Sequence, residues 1–171
     1  MKIVMAPIKL DPEPDETFHG ELRDAFPDVT IEAANTEEEQ KRLIRDADVY
    51  YGWPPREVFL AADRLRWLHL PATGVDMIND IPELIESDVV VTNARGPHAP
   101  PMADHVFGMM LSLAHRLGEQ QDDQRAHRWE TAKYSRRQVE LSGRTMGILA
   151  LGDVGFQVAK RAPGFDMKVY A

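Results

Sequence analysis

Gly143-Arg144-Thr145-Met146-Gly147-Ile148-Leu149-Ala150-Leu151-Gly152-Asp153-Val154-Gly155 is an apolar run ending in a glycine-spaced turn, and its reading decides the fold. Thr145–Leu151 has the length of a buried strand, Val154–Ala162 reads as a helix and Met167–Tyr170 as a second strand, which together make one βαβ unit. Gly152 and Gly155 fit the second and third glycines of G-x-G-x-x-G, while Ala150 stands at the first. A turn of this kind opening a helix aims several backbone amides at one point and keeps side chains away from it, which suits a pyrophosphate. The degenerate motif is also compatible with a plain structural turn; the strand before it, the helix after it and the second strand on schedule favour a nucleotide site. An acid reading the ribose 2′-hydroxyl would fall beyond Ala171, so these residues do not write the choice between NAD and NADP.

Upstream, apolar runs at Lys2–Met5, Val29–Ala33, Asp48–Tyr51, Trp67–Leu70 and Val89–Thr92 alternate with helix-forming segments at Glu16–Phe26, Thr36–Ala47, Pro55–Ala62 and Ile81–Ser87. Thr36 followed three residues later by Glu39 is a capping box. Alternation of this period implies parallel strands with right-handed crossovers, hence a flavodoxin-like α/β domain over residues 1–95. Gly96, Pro97, Pro100 and Pro101 then punctuate the chain before a second unit over 96–171, which opens with a helix of roughly 25 residues from about Met102 to about His127. Ala103, Val106, Phe107, Met109, Met110, Leu111, Leu113 and Ala114 cover most of that helix's circumference. A second copy of the chain packing on the helix around Ala103 to Leu117 is therefore expected, each large side chain it buries contributing about 1.5–3 kcal/mol; a central helix of a monomer is the alternative.

The 171 residues suffice for a sizeable core but not for a complete two-domain enzyme. Acidic residues outnumber basic ones 28 to 20, a net charge of −8 that argues against nucleic acid or an anionic membrane as partner. With no cysteine, disulfides, zinc-thiolate sites and thiol nucleophiles are excluded. No apolar run approaches the roughly 20 residues of a membrane span and the N-terminus lacks signal-peptide character, so the expected compartment is the cytoplasm.

A second constellation lies at Leu68-His69-Leu70-Pro71-Ala72-Thr73-Gly74-Val75-Asp76, a strand emptying into a glycine loop. The amides of Thr73 and Gly74 could grip a small carboxylate at the carboxyl end of the sheet; the alternative is an ordinary connecting loop with Asp76 as a helix cap. Thr73-Gly74-Val75-Asp76, Val91-Thr92-Asn93-Ala94-Arg95-Gly96, Ala103-Asp104-His105, Arg116, Gln124 with Trp129, and Leu141-Ser142-Gly143-Arg144-Thr145 leading into the glycine turn agree in order, spacing and type with one family. From first strand to last residue the chain resembles the D-isomer-specific 2-hydroxyacid dehydrogenases, whose members interconvert 2-keto and 2-hydroxy acids with a nicotinamide cofactor. The resemblance implies that Thr73 and Gly74 hold the substrate carboxylate, that Gly152, Asp153, Val154 and Gly155 lie against the pyrophosphate of NAD or NADP, and that Met102 lies near the nicotinamide.

The sequence departs from that family at three residues. Ala150 replaces the first glycine, which adds only a methyl group; Asp104 stands where glutamate is common; and Asp153 puts a negative charge where arginine is frequent, disfavouring pyrophosphate by repulsion. The family's catalytic arginine, glutamate and histidine belong to chain beyond Ala171, so no catalytic residue is assigned and the 171 residues alone are expected to be inactive. Of the six histidines, His19 and His127 lie in polar stretches, His69, His105 and His115 suit structural hydrogen bonds, and only His98 is placed to face a cleft. The rival reading is a non-enzymatic carboxylate-binding or dimerisation module. A receiver domain fits worse, because the first strand runs into Ala6-Pro7 and the third into Gly52-Trp53-Pro54 rather than into the acidic residues that fold requires.

Overall fold

Five parallel strands carry the first half of the chain: β1 (Lys2–Met5), β2 (Thr30–Ala33), β3 (Val49–Tyr51), β4 (Trp67–Leu70) and β5 (Val90–Asn93), in the spatial order β2-β1-β3-β4-β5. This is the flavodoxin-like order, seen in a computed structural model that describes residues 1–7 and 16–171. Helices α1 (Glu16–Ala25), α2 (Glu37–Ile44), α3 (Arg56–Phe59) and α4 (Pro82–Ile85), with a 3-10 turn over Asp76–Asp80, fill the crossovers. The Thr36–Glu39 capping box opens α2, with the Glu39 amide 3.3 Å from the Thr36 hydroxyl and the Thr36 amide 3.1 Å from the Glu39 carboxylate.

Alternation along the strands sorts the two faces of this sheet. Tyr50, Leu68 and Leu70 point to one side, where they are fully buried with Val4, Ile44, Val58 and Ile81. Each leucine contributes about 1.5–3 kcal/mol by leaving water. The Tyr50 hydroxyl is satisfied inside this core by the Gln40 side-chain oxygen at 3.0 Å. The opposite face carries Tyr51, Trp67, His69 and Thr92, and the α1 residue Phe18 lies against Tyr51 with ring centroids 6.4 Å apart.

The chain divides into two compact units, Met1–Arg95 and Gly96–Ala171. The second contains α5 (Ala99–Ala114), α6 (Leu117–Arg125), α7 (Thr131–Tyr134), β6 (Thr145–Gly147), α8 (Asp153–Arg161), a 3-10 turn over Ala162–Phe165 and β7 (Lys168–Tyr170). Its core joins Ala103 and Phe107 of α5 to Met146, Val158, Ala162 and Met167, and Phe107 stacks on Phe165 at 4.8 Å.

Two expectations need correction. The helix anticipated from Met102 to His127 is two helices, because Arg116 adopts a left-handed conformation (φ 58) between α5 and α6. Three donors take the carbonyls freed at the break: Val139 N–H donates to Ala114 O at 2.8 Å, and the side-chain amides of Gln120, five residues on, and of Gln138, twenty-three residues on, donate to His115 O. The stretch Ala103–Leu117 expected to pair two copies thus runs across a break, with Leu117 already in α6. The strand anticipated over Thr145–Leu151 stops at Gly147, because its partner β7 is only three residues long; the ladder ends with Ile148 N–H on Tyr170 O at 2.8 Å.

Candidate functional site

Past Ile148 the chain turns through Ala150 into Gly152, which caps α8 in an extended conformation. A Cβ placed on Gly155 would lie 2.4 Å from the Ala150 carbonyl oxygen and 3.3 Å from Ile148 Cγ2, so the helix approaches the turn as closely as glycine alone permits. A Cβ on Gly152 would meet nothing within 4 Å, which leaves open space over the turn. Val154 and Gly155 sit in the first turn of α8, where amides have no intrahelical acceptor and the helix dipole favours negative charge. Such an arrangement can accept an anionic group that needs backbone contact.

Ala150 does more here than add a methyl group. Its φ is 73, a left-handed conformation that glycine tolerates and alanine resists by about 1–2 kcal/mol. Ala150→Gly is therefore expected to raise the urea midpoint of the second unit, with a gain of about 1 kcal/mol after the added flexibility of glycine is subtracted. A midpoint that falls would contradict the strain.

The second constellation lies in the first unit, at the carboxyl end of β4. Asn93 Nδ2 donates to Thr73 O at 2.8 Å, and Ala94 N–H donates to Leu70 O at 3.0 Å and Ala72 O at 3.2 Å, so β5 pins the loop from one side. Thr73 and Gly74 are exposed, and their amides have no hydrogen-bond partner among the described residues. Val75, not Asp76, precedes the 3-10 turn, and no side chain caps it. One residue before Leu70, His69 stacks on Tyr51 at 5.6 Å with its Nδ1 2.7 Å from Thr92 Oγ1, which also accepts from Trp67 Nε1 at 2.8 Å. Thr92 thereby fixes both rings.

Met102 lies exposed in the first turn of α5, and His98 precedes that helix, also exposed. Asp104 pairs with Arg161 at 2.6 Å, tying α5 to α8 within the second unit. Thus Thr73 and Gly74 share one loop of the first unit, and Gly152, Asp153, Val154 and Gly155 share one turn of the second.

Residues 107–171 match the family model described as D-isomer specific 2-hydroxyacid dehydrogenase, NAD binding domain. D-3-phosphoglycerate dehydrogenase of Archaeoglobus fulgidus is 36% identical over 115 residues, which cover 67% of this chain and 21% of the relative. A glyoxylate reductase of Thermofilum pendens is 29% identical over 167 residues, 94% of this chain and 49% of the relative. The crystal structure of a D-isomer specific 2-hydroxyacid dehydrogenase family protein from Aeromonas salmonicida superposes with a TM-score of 0.81 at 26% identity, covering 98% of this chain and 52% of that one. This chain belongs to the D-isomer-specific 2-hydroxyacid dehydrogenase family.

Within this dehydrogenase-family chain, no histidine among the described residues is hydrogen-bonded to a carboxylate, and no group of three His, Cys, Asp or Glu side chains could hold a metal. No helix among those residues is long and apolar enough to cross a membrane. The sequence reading gave no role to Asn93, although its register opposite Leu70 places it at the loop's base. It also gave no role to Asp123, whose carboxylate accepts from Arg128, Lys133 and Tyr134.

Proposed function

We propose that the chain serves an NAD(P)-dependent dehydrogenase acting on small 2-hydroxy or 2-keto acids, with residues 1–95 as the substrate domain and 96–171 as the start of the cofactor domain. The supporting observation is the turn before α8, where Gly155 alone fits against the Ala150 carbonyl and Gly152 faces open space. The amides of Val154 and Gly155 hold the pyrophosphate, Gly152 lets it approach, Asp153 lies beside it and Met102 contacts the nicotinamide. The nicotinamide supplies the hydride when bound. The amides of Thr73 and Gly74 take the acid's carboxylate on the loop that Asn93 pins, which orients the carbon to be reduced.

The relatives matched are longer than this chain, which spans between 21% and 49% of the two named above. Activity is thus proposed for the protein to which these domains belong, and binding is the property to test on the 171 residues themselves. Titration with NADH should move the amide resonances of residues 152–155, and titration with glyoxylate those of 73 and 74. Shifts confined to other residues, or none at millimolar ligand, would leave the non-enzymatic module as the better reading.

Two copies pack through α5 in this proposal. Leu113 is 78% exposed and Met109 48% exposed on that helix, although Ala103 and Phe107 on its other side are buried. Side chains of this size left in water along one helix favour a self-complementary contact. The sample used for the titrations should sediment as a dimer at micromolar concentration.

A further inference from the structure

We propose that residues 116–138 form a strap that opens as one unit, independently of either hydrophobic core, with Asp123 as its latch and Arg116 as its hinge. The strap begins and ends at one place, since Val139 N–H donates to Ala114 O at 2.8 Å. Neither core cluster draws a side chain from it. Its helix α6 buries no residue but Asp123, while Leu117 and Trp129 stand in water, Trp129 at 91% exposure. Tyr134 is the strap's one buried ring; a segment with so little buried apolar surface is held closed mainly by polar contacts, and such segments open first.

Those contacts converge on one carboxylate. Asp123, with its side chain 4% exposed, accepts from Arg128 Nε at 3.1 Å and Nη2 at 2.6 Å, from Lys133 Nζ at 2.8 Å and from the Tyr134 hydroxyl. Its backbone carbonyl also accepts from the Arg128 amide at 2.8 Å. The chain is thereby clamped on both sides of Trp129, at Arg128 before it and at Lys133 and Tyr134 after it. A groove of about 1090 Å³ beside the latch, lined in part by Ser112, Gln124 and Trp129, leaves room for movement. Lys133, Tyr134 and Arg128 hold the Asp123 carboxyl well below the usual carboxylate range, so the latch is charged at neutral pH.

A second tie joins the strap's two ends, where Glu119 accepts from Arg116 and from Arg137 Nη1 at 2.8 Å. The hinge itself is under load. Arg116 is left-handed without being glycine, and its Nε is buried with no hydrogen-bond partner. Opening relieves both penalties, which places the closed strap near balance.

Hydrogen exchange read by mass spectrometry on the 171-residue chain tests this without requiring a ligand. Asp123→Asn keeps the side chain's shape and removes its charge. Amides of 117–138 should then exchange at least about a hundred-fold faster, while residues 1–95, α5 and α8 keep their wild-type rates. Tyr134→Phe, which deletes one hydroxyl, should give the same regional pattern at about ten-fold. Trp129→Ala should leave strap rates within about two-fold, because the ring is in water. Acceleration of all regions alike in Asp123→Asn and Tyr134→Phe, no acceleration in either, or a Trp129→Ala effect as large as that of Asp123→Asn would each overturn the proposal.

Discussion

Replacing Gly155 by alanine is expected to destabilise the second unit by about 2–3 kcal/mol and to abolish nucleotide binding together with the turn. The added carbon would sit 2.4 Å from the Ala150 carbonyl oxygen. Backbone cannot swing aside as a side chain can, so β6 and α8 would have to part. Gly152→Ala is the informative comparison. Its new methyl meets no protein atom within 4 Å, so stability should change by less than about 1 kcal/mol. The same methyl would stand where the pyrophosphate approaches, and the NADH-induced shifts at residues 152–155 should vanish. Urea denaturation of both variants beside the titrations separates the two roles. A Gly155→Ala chain as stable as wild type would mean that the turn is looser than described, and unchanged binding by Gly152→Ala would remove the pyrophosphate from this position.

Phe107→Ala is expected to cost about 3–5 kcal/mol and to unfold the second unit while the first stays folded. Phe107 is 5% exposed and stacks on Phe165, and the core around it otherwise offers Ala103, Met146, Val158, Ala162 and Met167. That core is small, so losing its one buried ring removes a large share of the apolar contact. The core of the first unit shares no residue with it. Denaturation followed by exchange in peptides from 1–95 and from 96–171 should then show two separate transitions. A single transition shifted as a whole would show instead that the two units fold cooperatively.

Strand periodicity carried most of the fold. Runs such as Lys2–Met5 and Trp67–Leu70 are short and apolar, and Trp67–Leu70 is buried at alternate positions; those features are local. What local pattern could not reveal was how Arg116 ends a helix. Ala103 to Leu113 carries no helix-stop signal, and nothing in Arg116-Leu117-Gly118 excludes helix. The break is held by Gln138 and Val139, more than twenty residues on, which accept no prediction from spacing. The glycine turn was legible because Gly152 and Gly155 declare themselves, whereas the strain at Ala150 was not, since a left-handed φ leaves no mark in the sequence when the residue is not glycine. The Asp123 cluster escaped for a similar reason: nothing in the spacing of Asp123, Arg128, Lys133 and Tyr134 shows that they converge until Tyr134 folds back on the carboxylate.

The bond between Ala114 and Val139 has a bearing on how this chain could be lengthened. Because the two ends of the intervening segment already meet, an insertion there would move neither neighbour. Its penalty would be the entropy of a longer closed loop, about 0.6 kcal/mol for each doubling of length. The crest at Trp129 is thus a place where a foreign peptide or a whole folded module could be grafted, with β6, α8 and the turn between them left in register.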